Sequence, residues 1–261
     1  MKNSKKERLK DLLYAVLGIV IVLAVWSISA SLINDEFVMP TLAQTIQATF
    51  TLLGQGDFYN ALFATLLRTL LAFIISFVLA GATAGLSLII KPLGKMVKPI
   101  VTVIRVLPTM AILLLIFRWT QYDFEVSPVV ITILVLFPMI YAQFLTAFNS
   151  VPQGLINTAN VFGLSKKDKL FKVYLPIVAP SVLSRVGSNL SFAIKLIISA
   201  EVISYTLISL GGMMNTATNY LNYARLGALT LCAVALGLII EVVVDLVVKR
   251  LFKWTGESKN D

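Results

Sequence analysis

Six apolar stretches, each long enough to cross a lipid bilayer, constrain this chain more than any other feature. A hydrocarbon core of about 30 Å takes roughly 20 apolar residues per helix. Runs of that length occupy residues 12–33, 61–90, 99–119, 127–148, 177–210 and 226–248. Two of them exceed the bilayer thickness and are expected to tilt or lie partly in the interface. Only 13% of the 261 residues are charged, against about a quarter in a soluble domain. The expected class is therefore an all-α membrane protein with six transmembrane helices. The first run begins after a lysine-rich segment but has no A-x-A-like exit, so it reads as a retained helix rather than a cleaved signal.

Charge sets the orientation. Lys2, Lys5, Lys6, Arg8 and Lys10 precede the first run; Lys91, Lys95 and Lys98 separate the second from the third. Lys166, Lys167, Lys169 and Lys172 follow the fourth, and Lys249, Arg250, Lys253 and Lys259 close the chain. These are sixteen of the 22 basic residues, and alternating loops put all of them on one side. The other side carries Asp35, Glu36, Asp57, Asp123 and Glu125. The positive-inside rule then places both termini in the cytoplasm. The net charge of +9 follows from these dispersed flanks, which gives no basis for a nucleic-acid partner.

The expected organisation is a cytoplasmic tail over 1–11, a membrane domain over 12–250 with one long cytoplasmic loop at about 150–176, and a tail over 251–261. No internal repeat is evident. Residues 41–53, after Met39-Pro40, alternate apolar and polar positions in helical fashion; they read as an interfacial helix or as a simple connector. There is no histidine, and Cys232 is the one cysteine. Intramolecular disulfides, HExxH metal sites and Ser-His-Asp triads are excluded, and no catalytic or metal-binding residues are expected.

The 150–176 loop is too apolar for a solvated linker. Residues 155–161 suggest a short helix, Gly163 supplies a turn that ends it, and Lys166 to Lys169 face water. Leu155, Ile156, Val161, Phe162 and Leu164 then either meet a partner protein or fold back on the chain's own helices. Charges inside the runs form a second group: Arg105, Arg185, Lys195, Glu201, Glu241 and Asp245. Each costs about 2.5–3.5 kcal/mol at a helix centre. Arg185, Glu241 and Asp245 lie near cytoplasmic helix ends, where snorkelling or end pairing suffices. Lys195 and Glu201 lie deeper. Six residues apart on a helix means about 9 Å of rise and about 240° of rotation, so they need different partners, and Arg105 is a candidate for Glu201. Both residues either line a path or form structural ion pairs. Gly81 and Gly85, among alanines, suit close helix packing. Pro108 and Pro138 are positions for kinks, Met213-Met214 for a loop at the outer mouth, and Arg225 for the outer interface.

The loop carries a resemblance. Asn157-Thr158-Ala159, three residues, Gly163, nine residues, Val173, Tyr174 and Leu175-Pro176 resemble the EAA loop of ATP-binding cassette (ABC) importer permeases. Asn157 and Thr158 depart from that family's Glu and Ala. The resemblance extends to Trp26, Met39-Pro40, Gly81, Gly85, Arg105, Leu107-Pro108, Phe137-Pro138 and Ala200-Glu201. It is to the binding-protein-dependent type I importers, in the branch with nitrate, sulfonate, taurine, bicarbonate and thiamine-precursor permeases. Leu114 and Phe117-Arg118 depart from the family pattern in the third helix.

The resemblance implies a type I importer permease in a bacterial cytoplasmic membrane, working with a second copy or close paralogue, two cytoplasmic ATPase subunits and an extracytoplasmic binding protein. This chain would be a transport subunit and not an enzyme. ATP and Mg would be bound by the ATPase, since no GxxxxGK[ST] loop is present here. Leu155, Asn157, Thr158, Ala159, Phe162, Gly163, Leu164, Leu175 and Pro176 would couple to that ATPase. Arg105, Pro108, Lys195 and Glu201 would border the path of a small polar or anionic solute. The rival reading is a secondary transporter or channel, for which repeated halves or a carboxylate cluster would be expected.

Overall fold

The computed structural model describes residues 2–120 and 123–251, and every described element is helical. The helices are α1 (Lys2–Ile33), α2 (Leu42–Leu53), α3 (Gly56–Ile89), α4 (Lys91–Val106), α5 (Thr109–Trp119), α6 (Val126–Asn149) and α7 (Gln153–Val161). Then come α8 (Lys166–Lys169), which passes through a π-helical turn at Leu170–Tyr174 into α9 (Leu175–Leu183), and α10 (Val186–Ser204), α11 (Leu210–Asn219) and α12 (Tyr223–Leu251). Of the expected tail at 251–261, everything after Leu251 lies outside the described residues.

Two compact units divide the chain. The first comprises Met1–Phe58 and Met213–Cys232. In it, residues 41–53 form a capped helix. The Thr41 hydroxyl accepts from the Gln44 amide while the Gln44 side chain accepts from the Thr41 amide, 2.8 Å away, a reciprocal cap that satisfies two otherwise free donors. Trp26 Nε1 donates to Pro40 O at 3.0 Å and ties α1 to the turn before α2. Thr45 is fully buried against Gly227, where a Cβ would meet it at 3.0 Å.

The second unit comprises Tyr59–Gly212 and Ala233–Asp261. Its core lies around α6, where Leu136, Ile140 and Tyr141 pack with Ala80 and Ala84 of α3 and Ala193 of α10. The small residues of α3 do what their spacing predicts: a Cβ on Gly81 would stand 3.0 Å from the Phe144 ring. Gln143 and Asn189 exchange side-chain hydrogen bonds of 3.0 and 2.8 Å between α6 and α10. Pro138 sits within α6, which continues unbroken through it.

Five described helices are long and apolar enough to span a membrane, and a sixth span exists if one bent pair is counted as one. That pair corrects the third run. Instead of one helix over 99–119, α4 and α5 meet at 104°, with extended backbone at Leu107 and Pro108. Proline disfavours a helical conformation in the residue before it, which forces the break. Lys91, Lys95 and Lys98 accordingly lie on α4 rather than in a loop. The fifth run is also divided, into α9 and α10. It ends at Tyr205, which takes φ 56°, because the Thr206 amide reaches back to Glu201 O and its hydroxyl donates to Phe124 O at 2.6 Å.

Candidate functional site: the loop helix and a buried charge network

The loop forms the expected short helix, α7, between Pro152 and Phe162. Its end is a two-bond cap in which the Gly163 amide donates to Asn160 O and the Leu164 amide to Ala159 O, each at 3.0 Å. That geometry requires a left-handed residue, and Gly163 has φ +66°. A Cβ there would meet nothing within 4 Å, so the glycine is needed for its backbone angle, not for space.

The two readings of the loop's apolar residues divide between the two faces of α7. Ala159 is buried and Ile156 packs on the unit's core, while Leu164 is half-buried. Ile156 and Leu164 thus follow the reading in which the loop folds back on its own helices, and Ala159, which the resemblance put at the ATPase contact, faces inward. The opposite face is open: Val161 is 86% exposed, Phe162 75% and Leu155 47%. Asn157 and Thr158 are exposed beside them, with Thr158 bonded back to Gly154 O and Asn157 to Gln153. Lys169 donates to Asn160 Oδ1 at 2.6 Å and Lys166 to Ile89 O at 3.1 Å, which pins the loop to its own helices. Leu175 is half-buried and Pro176 exposed at the start of α9.

Asp168 fixes the turn after α7. Hydrogen bonding from Lys172, at 2.8 Å, and then from Ser165 holds its carboxyl below the ordinary carboxylate range. A depressed value means the stabilisation is complete above the unfolded pKa and is lost as pH falls through the folded one. Amide protection factors over 165–172, with the intrinsic pH dependence of exchange divided out, should therefore hold at neutral pH and fall on acidification below about pH 4. In Asp168→Asn that acid step should be absent.

The buried charges pair differently from the expectation. Glu201 is fully buried, but its partner is Arg68 on α3, whose Nη1 lies 3.1 Å from Glu201 Oε1. Arg105 is exposed on α4, and so is not that partner. The Thr65 hydroxyl lies 2.9 and 3.0 Å from the two Glu201 oxygens, and the Gly211 amide donates to Oε2 at 3.2 Å. Thr65 also accepts from the Leu210 amide at 3.0 Å, and Arg68 reaches Ile208 O at 3.2 Å. Arg68 Nε and Nη2 both donate to Glu125 Oε2. One guanidinium thus joins α3, α10, the segment before α6 and the segment before α11. Arg's planar fork suits such a multiple role.

Lys195 is exposed and Glu201 buried, as expected of residues on different faces of α10. Pro108 is exposed at the bend, so the four residues assigned to a path do not converge here. Sequence reasoning passed over Arg68. The signal for it was a lone arginine in an apolar run with Thr65 at i−3, which shares its helix face.

Comparison with known proteins decides the family. The profile described as "Binding-protein-dependent transport system inner membrane component" matches residues 76–254. The chain belongs to this family. It is a multi-pass membrane component, related to transport permeases in the sulfonate and taurine branch that the sequence resemblance implied. The taurine transport system permease protein TauC of Escherichia coli (strain K12) is 27% identical over 238 residues, covering 89% of this chain and 86% of that one. The putative aliphatic sulfonates transport permease protein SsuC of Bacillus subtilis (strain 168) is 23% identical, covering 90% and 84%. The glycine betaine/proline betaine permease ProW of E. coli is 27% identical over 134 residues, and there the match spans only 35% of the relative's length. Among solved structures, the inward-facing MetNI methionine ABC transporter aligns with TM-score 0.64 at 19% identity, over 73% of this chain and 94% of its own. A bacterial ABC transporter that imports alginate aligns at 0.65 and 15%, over 96% and 99%. The fold of this inner membrane component is that of ABC importer permeases.

Proposed function

We propose that this chain is the path-forming subunit of an ABC importer, driven by separate cytoplasmic ATPase subunits that bind ATP and Mg. The observation that carries the reading is the open apolar face of α7. Leu155, Val161 and Phe162 stand beyond the membrane helices on a helix whose other face is anchored, a rigid handle rather than a loose loop. Nucleotide-driven closure of an ATPase cleft around such a handle would move α8 and α9 as a packed body, which is what switching between two states requires. A second copy or a close paralogue completes the path, and an extracytoplasmic protein delivers the solute. TauC and SsuC support a small sulfonate or related anion as that solute, in keeping with the cations Arg105 and Lys195.

Burying an exposed Phe contributes about 1.5–3 kcal/mol. Phe162→Ala is therefore expected to weaken retention of the co-expressed ATPase about tenfold or more, with permease yield in the membrane preserved. Lys167→Ala, at an exposed position on α8, should change retention by less than about threefold. Equal retention for wild type and Phe162→Ala would sink the proposal.

A further inference from the structure

The first unit contains a cavity of about 520 Å³ between α2 and the turn that starts α12. One wall is a polar stripe on consecutive turns of α2, formed by Gln44, Gln47 and Thr51 and extended by Gln55 past the helix end. The ends of the cavity carry opposite charges, each held by an amide. Glu36 Oε2 accepts from Gln44 Nε2 at 2.8 Å, and Arg225 Nη2 donates to Gln55 Oε1 at 3.1 Å. Arg225 is further fixed at its backbone, which donates to Asn222 Oδ1 at 3.0 Å. In the basic-flank topology this trough opens on the side opposite the ATPase.

Dimensions decide what it fits. Gln44 and Thr51 are two turns apart, about 10 Å, with the two charges beyond them. A small zwitterion with its charges a few ångströms apart cannot meet both ends. An extended protein segment can, since three or four residues cover about 10 Å, and the Gln side chains offer donors and acceptors to a peptide backbone. We propose that the trough seats a segment of the extracytoplasmic binding protein that carries a carboxylate opposite Arg225 and a basic side chain opposite Glu36. This rests on the importer reading, and it adds the surface and the charge order by which the delivering protein is oriented.

The test uses the permease–ATPase complex in liposomes with its cognate binding protein, and reads the binding-protein concentration that half-saturates stimulation of ATP hydrolysis. Arg225→Glu and Glu36→Lys should each raise that concentration about tenfold, the effect of placing like charges opposite each other. Arg225→Gln, which keeps an amide beside Gln55, should raise it less. Asp57→Asn, an exposed acid outside the trough, should leave it within about twofold. Unchanged half-saturation in both charge reversals overturns the proposal, as does separation of permease copies in them, which would make the trough a contact between copies. Stimulation by free taurine alone that is lost in Arg225→Glu would assign the trough to solute and overturn it too. If wild type shows no response to any binding protein, the importer reading itself falls.

Discussion

Arg68→Ala should be among the most destabilising substitutions in this protein, lowering stability by about 3–5 kcal/mol, the usual cost of leaving one member of a buried ion pair alone. Glu201 would keep the Thr65 hydroxyl and the Gly211 amide but lose the cation that pairs with it. Ile208 O and Glu125 would lose their donor as well. Yield in the membrane and thermal unfolding in detergent are the readouts. Glu201→Gln retains acceptors for Thr65 and Gly211 and should cost less. The double variant Arg68→Ala/Glu201→Gln should be more stable than Arg68→Ala alone, because no uncompensated carboxylate remains. Additive losses in that cycle would mean that the two side chains do not act as a pair.

Gly211→Val is expected to abolish accumulation of folded protein. A Cβ on Gly211 would overlap the Glu201 side chain and stand 2.7 Å from both Ile198 O and Val202 N. Two of these obstacles are helical backbone and cannot turn aside. Overpacking typically costs 1–3 kcal/mol, and here it would also displace the Glu201 carboxylate from its donors. Gly163→Ala provides the contrast. Its Cβ has open space, so the cost is the left-handed backbone alone, about 1 kcal/mol. Pulse-chase turnover in the membrane should separate the two: rapid loss for Gly211→Val and near wild-type persistence for Gly163→Ala. Normal turnover of Gly211→Val would show that α11 can move away from α10.

The membrane class, most of the spans and the short loop helix, read at 155–161 and observed at 153–161, were legible because each depends on local signals: a run of apolar residues, or a glycine that ends a helix. The partner of Glu201 was not legible. Arg68 and Glu201 are far apart in the chain, and hydropathy treats each charge as an isolated penalty. Glu125 was counted only as an outer-loop acid for the same reason, although Arg68 reaches it. The division of α7 into an inner and an outer face needed the fold. Apolar residues lie on both faces of its nine residues, and only packing against the unit's core and the turn at 170–174 decides that Ile156 turns in while Val161 turns out. The break at Leu107–Pro108 was half legible: proline marked the place, but not a change of direction as large as 104°.

That break has a consequence for where lipid can lie. The Leu107 amide returns to Val103 O, and Ala111 and Ile112 both donate to Pro108 O. Among the described residues, no backbone hydrogen bond joins the amides of Thr109 and Met110 to the carbonyls of Arg105 and Val106. Proline contributes no donor. At bilayer depth each unmet peptide group costs several kcal/mol in hydrocarbon, and acyl chains offer nothing to meet it. An elbow placed at that depth would have to be solvated by water or sealed by protein. An annular lipid shell around this family member would then be interrupted there, whatever solute it carries.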